Sequence, residues 1–234
     1  MAGWGSRLAA ALVLLLAAGA ASAQEIAAPT EKLSLKPRRV KGLLLGYGYT
    51  VGEFTGEVRT RASSSRAPLF SSDKSKTVFT IASPRFPTPV TVTCAGGESR
   101  LALGWIEFKR ADLTYVCGFE GGPPDAAFAL ALSEAGLAAT LYQPQRAAEL
   151  TYGGSTVRAL TRKVAGAMPL GGGRVMSYRI TRDGQEIAGL VRGVMQPTFY
   201  LPPAGSPDRE AAAVMALTLF FFADPADRSS TIGG

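Results

Sequence analysis

Residues Ala211 to Ala223 read AAAVMALTLFFFA, an uninterrupted run without a single charge. Ser206-Pro207-Asp208 precedes it, the pattern of an N-cap, a proline at the first helical position and an acid in the positive first turn. Asp224-Pro225 ends it. Alanine, leucine and methionine favour helix, and the run lacks the alternation of a strand. A helix apolar on every side must be buried, yet about 13 residues fall short of the ~20 that cross a bilayer. The chain is therefore expected to wrap a water-soluble fold around its own C-terminal helix. Val214, Leu217, Phe220 and Phe221 should form the core of that helix. Thr218 is expected to bond the backbone carbonyl four residues back.

The first 23 residues have the pattern of a secretory signal. Arg7 leads, an apolar run spans Leu8 to Ala18, and Ala21-Ser22-Ala23 is a small-x-small cleavage site. No cysteine follows that site directly, so a lipid anchor is not suggested, and no other stretch is long enough to span a membrane. The expected compartment is periplasmic or extracellular, and the expected organisation is a signal (1–23), a polar basic leader (24–45), one β-rich domain (46–225) and a tail (226–234).

Cys94 and Cys117 are the two cysteines, and an oxidising compartment favours a disulfide between them. Two buried thiols or an intermolecular bridge are the competing readings. The chain has no histidine. That removes Ser-His-Asp and Cys-His catalysis, His-based zinc sites and histidine pH switching. No metal or other cofactor is expected.

The formal net charge is +7, and its distribution is uneven. Residues 24–85 hold eleven basic and five acidic side chains, whereas residues 86–234 hold thirteen of each. A basic face of this kind suits anionic lipid, an anionic envelope polymer or an acidic envelope protein. A solvated leader and exposed strand faces would give the same composition. Arg38, Arg39, Arg59, Arg61 and Arg66 are the candidate anion contacts. Nucleic acid is disfavoured by compartment and by the lack of aromatics interleaved with the bases.

From Gly46 onward short alternating runs are punctuated by Gly and Pro, a β-rich pattern. Thr50 to Arg61 reads as one half-exposed strand with Phe54 and Val58 inward and Glu53, Glu57, Arg59 and Arg61 outward. Thr77–Ile81, Val90–Cys94, Leu101–Phe108 and Leu113–Phe119 are further strand candidates, and Ala126–Leu132 is ambiguous between helix and buried strand. A tight hairpin at Gly96-Gly97 followed by a second meander turn would leave the cysteines roughly 20 Å apart at ~3.3 Å per residue. A disulfide needs Cα atoms within about 7 Å. The two are incompatible; keeping the disulfide means that Val90–Cys94 pairs directly with Leu113–Phe119. Asp183-Gly184 marks a type I′ hairpin, with Ile180 expected opposite Ile187, Tyr178 opposite Gly189 and Met176 opposite Val191.

The stretch MSYRITRDGQEIAGLVRG (Met176–Gly193) followed by QPTFYLPPAGSPDREAAAVMALTLFFFADP (Gln196–Pro225) resembles the end of a tubby-like barrel, as in the tubby, scramblase and LURP-one-related families. The resemblance spans residues 47–225. It implies a paired-strand unit with a turn glycine ahead of an apolar helix that threads a closed twelve-strand barrel. The export signal and the cysteine pair depart from the familiar members. The phosphoinositide-binding positions of tubby domains have no aligned counterpart here, so the resemblance implies the fold and not a ligand.

Mainly β, a closed or nearly closed antiparallel barrel around an apolar C-terminal helix, is thus the expected fold; a disulfide-stapled β-sandwich with a packed helix is the alternative. A non-enzymatic envelope protein with a binding or structural role is the expected function. The alternative is a carboxylate-dependent hydrolase using Glu53 and Glu57, which would need a concave site and a raised carboxylate pKa.

Overall fold

Alternation of apolar and polar residues dictates most of the wall. The computed structural model describes residues 29–40, 46–61, 76–97, 111–133, 145–162, 177–192 and 196–222. Its strands are β1 (Glu31–Ser34), β2 (Lys36–Arg38), β3 (Tyr47–Val51), β4 (Phe54–Arg61), β5 (Lys76–Ile81), β6 (Val90–Gly97) and β7 (Ala111–Glu120). Then follow β8 (Ala127–Ser133), β9 (Gln145–Tyr152), β10 (Ser155–Thr161), β11 (Ser177–Arg182), β12 (Gln185–Arg192) and β13 (Pro197–Leu201). One helix, α1 (Arg209–Phe221), completes the described chain.

All pairings are antiparallel, and from β2 to β13 each strand pairs with its neighbour in sequence. The one exception in order is β1, which pairs with β13. Because β1 and β2 are separated only by Leu35, one segment lies against both ends of the sheet and nearly closes it into a barrel. Closure leaves few unpaired strand edges. Residues 31–38 were expected to belong to a polar leader. They are instead the closing stave, with Glu31 and Leu33 partly buried and Leu35 buried.

The wall encloses α1, whose residues from Ala211 to Leu219 are all buried. Val214 and Leu217 are fully enclosed, Phe221 nearly so, and Phe220 keeps partial exposure while its ring packs on Phe199 at 5.7 Å. Phe221 meets Tyr49 of β3 and Phe79 of β5 at 4.7 and 5.1 Å, and Phe222 meets Tyr115 of β7 edge-on at 4.5 Å. Strands β9 to β13 cover the rest. Such ring pairs add about 0.5–1.5 kcal/mol each beyond their area. A helix held by both halves of the chain is what an all-round apolar sequence requires.

Regular helix begins at Arg209, three residues later than Ser206. The N-cap is Asp208, which makes no side-chain cap hydrogen bond, so the expected Ser206 cap is displaced. Ser206 instead shapes the turn before the helix, its Oγ accepting the Asp208 N–H at 3.3 Å and its carbonyl the Arg209 N–H at 3.2 Å. Thr218 departs from expectation. Its hydroxyl is buried and has no hydrogen-bond partner among the described residues.

Two strand readings change and one ambiguity is resolved. Thr50–Arg61 is not one strand but the β3–β4 hairpin, turning at Gly52-Glu53 with Gly52 at φ +57°. Ala126–Leu132, ambiguous in sequence between helix and buried strand, resolves as strand, β8 beginning at Ala127. It lacks clear alternation because its outward Ala131 is buried too: Ala131 and Ala147 form a second small cluster with the partly buried Ala129 and Leu160. In the Asp183-Gly184 hairpin the turn is as expected, with φ 49° and 80°. Beyond Thr181–Glu186 the register slips by one residue, so Ile180 faces Ala188, Arg179 faces Gly189 and Tyr178 faces Leu190. The slip is a bulge that turns Ala188 and Leu190 inward in place of Ile187, Gly189 and Val191, filling the core where the expected register would have presented a glycine. Leu101–Phe108 and Met176 lie outside the described residues.

The cysteine pairing is as expected. Cys94 lies directly opposite Cys117 between β6 and β7, Cα atoms 4.1 Å apart, joined by a disulfide on the inner face.

Candidate functional site

The helix brings one charged residue into the barrel, and the wall is organised around it. Arg209 stands in the first turn of α1, where the partial positive charge of the helix end repels a cation. It is almost fully buried, so it must be paired. Glu53, in the β3–β4 turn, accepts from Nε and Nη2 of Arg209, the second contact at 2.8 Å. Glu31 of β1 lies 2.9 Å from Nη2, and the Pro202 carbonyl accepts from Nη1. The Arg209 guanidinium is the main reason that the Glu53 carboxyl is held below the usual carboxylate range. For Glu31, the Ala204 N–H leads, with Arg209 second, in the same direction.

The rest of the first helical turn is tied in the same way. Asp208 pairs with Arg182 at the β11–β12 turn, and Glu210 lies 2.8 Å from Arg85 in the β5–β6 connection. Nearby, both oxygens of Asp125 accept from the β9–β10 turn, from Gly153 N at 3.1 Å and Gly154 N at 2.6 Å. Sequence reasoning missed this hub. The available signal was Arg209 itself, a cation at the wrong end of a helix that carries no charge from Ala211 onward.

The glutamates weighed as a catalytic pair are not brought together as one. Glu53 is a ligand of Arg209, and its lowered pKa is opposite to that of a general acid. Glu57 sits on the outer face of β4, 3.9 Å from Arg59.

Among the basic candidates, Arg38 and Arg39 are exposed, at and just beyond the end of β2. Arg38 packs over Gly48 of β3, where a Cβ would stand 3.2 Å from its Nε. The register runs Arg38, Gly48, Glu57 across three strands, and Arg59, 65% exposed, projects from the same outer face. Arg61 ends β4 opposite Lys76 of β5. Arg66 lies outside the described residues. Arg38, Arg59 and Lys36 therefore share one outward wall, with Glu57 among them.

Charge is also segregated along the barrel. The mouth where α1 begins carries Glu31, Glu53, Glu120, Asp125, Asp183, Glu186, Asp208 and Glu210 against Lys32, Arg85, Arg182 and Arg209. The strand ends at the opposite mouth carry Arg38, Arg61, Lys76, Arg146, Arg162 and Arg192 with Asp112, although Arg146 is buried and Arg162 is paired with Glu186 at 3.2 Å. The C-terminal half thus adds bases to an end that sequence counting assigned to residues 24–85 alone.

No family model, curated protein or solved structure matches the chain. Among the described residues no helix is long and apolar enough to cross a membrane, and no group of side chains is arranged to hold a metal ion. A disulfide is compatible with an oxidising compartment.

Proposed function

We propose that this chain is an exported, non-enzymatic envelope protein that holds an anionic lipid surface or envelope polymer against its basic side. The observation that carries the reading is the segregation of bases toward one mouth and the adjoining β2–β4 wall. Fixed charge gathered on one side of a rigid barrel attracts a polyanion with little loss of protein entropy. The signal-like N-terminus supports an exported location. Among the described residues, counting β1 and β2 as a single stave gives twelve strands around α1, the number that the resemblance to tubby-like barrels implies. The fold alone carries no ligand from them.

The experiment is a binding titration of the mature protein with anionic vesicles and with an anionic polymer over a range of salt. Binding should weaken steeply with salt, because screening shortens to ~8 Å near 0.15 M. Neutralising Arg38, Arg39, Arg59 and Arg61 together should abolish it and leave the melting temperature nearly unchanged. Absence of binding at low salt, or binding indifferent to salt, would contradict the reading.

A further inference from the structure

The stave that closes the barrel is unlike the other eleven. Each of those pairs along both its edges, whereas each half of residues 31–38 pairs along one edge only. β1 makes four residue pairs with β13, and β2 makes three with β3. Pro37, in the middle of β2, has no N–H to give the ladder. Lys32, Ser34, Lys36, Pro37 and Arg38 are exposed, so inward packing falls to Leu33 and Leu35. The segment is also the first described element, so it leaves the barrel without unthreading any other described strand.

What pins it is local. Glu31 bonds Arg209 and the Ala204 N–H. Leu33 reaches across the seam to the β3–β4 turn, where a Cβ on Gly52 would stand 3.0 Å from its Cδ1. Arg209 keeps Glu53 and the Pro202 carbonyl when Glu31 departs, so release strands no buried charge. Few buried apolar contacts and one-sided pairing mark the segments that open first in a folded protein.

We propose that residues 31–38 form an exchangeable strap, and that the groove between β3 and β13 receives the same strap from a second copy of this chain. Opening exposes two unpaired strand edges, which seek a strand. The groove is matched in register, side-chain alternation and its Glu31 socket to one sequence, and a second copy supplies that sequence. Reciprocal exchange gives a two-fold dimer that reuses every native contact.

The test uses two separately purified copies, one carrying Ser34→Cys and the other Thr198→Cys, positions that face each other across β1 and β13. Neither copy can form that bridge within itself. The mixture under mild oxidation should yield a covalent heterodimer joined through positions 34 and 198, identified by peptide mass mapping. Copies carrying Lys36→Cys and Thr50→Cys repeat the test at the β3 edge. If neither mixture joins different copies through these positions, the strap stays with its own barrel and the proposal is wrong. Both readouts are independent of anion binding.

Discussion

At the residue scale, the charges that matter most are those least visible as function. Arg209 is stable in the barrel only because carboxylates and a carbonyl surround it, so Glu53 is a structural ligand of the helix. Its folded pKa is depressed from the ordinary 4.5. The stability it supplies is present above that value and is lost as pH falls through the lowered folded value. Glu53→Gln should therefore cost about 2 kcal/mol in urea unfolding at pH 7, the range for hydrogen bonds to charged groups. The difference from wild type should shrink toward pH 3; an equal deficit at both pH values would contradict the pairing. Thr218 is the opposite case, a buried hydroxyl without a partner among the described residues. Thr218→Val keeps its shape, and should raise stability by about 1 kcal/mol, since an unsatisfied buried group costs ~1–3 kcal/mol. A lower melting temperature for this variant would mean that the hydroxyl is bonded.

At the element scale, the legible features were those with a strong local cause. The Asp183-Gly184 turn, the apolar helix and the pairing of Val90–Cys94 with Leu113–Phe119 each rested on chemistry that permits few alternatives. The features that stayed hidden depend on tertiary context. The bulge in β12 exists because Ala188 and Leu190 fill the core better than the in-phase Gly189. The β3–β4 turn left one faint trace: Val51 and Phe54 both point inward, a phase that unbroken alternation cannot give. The leader hid a stave because a strand exposed along one side and split at Leu35 shows little periodicity. The disulfide joins two wall strands whose cysteines are separated by 23 positions in sequence. Replacing both cysteines by alanine should lower stability by roughly 3 kcal/mol on the chain-entropy estimate, measured by urea unfolding, with the β6–β7 ladder retained. No change in stability would mean that the bond constrains nothing.

At the scale of the whole molecule, the barrel and the helix specify each other. The wall has an apolar interior that needs filling, and the helix has no polar side to offer solvent. The anionic-contact residues were only partly legible, because composition assigns charge to a region of sequence whereas the barrel sorts it by mouth. Arg38 and Arg59 come together through register; Arg192 joins the same end from the far half of the chain. The enclosed helix is the central claim, and its direct test is a lysine scan over one turn. Val214, Met215, Ala216 and Leu217 are each at most 1% exposed, and successive residues point about 100° apart. Single lysines at these four positions sample every direction around the axis. A helix enclosed by the barrel predicts that all four variants lose several kcal/mol and fail to accumulate as folded protein, because each buries an uncompensated charge. A single position that accepts lysine with wild-type stability would give the helix an open side and contradict the enclosed architecture.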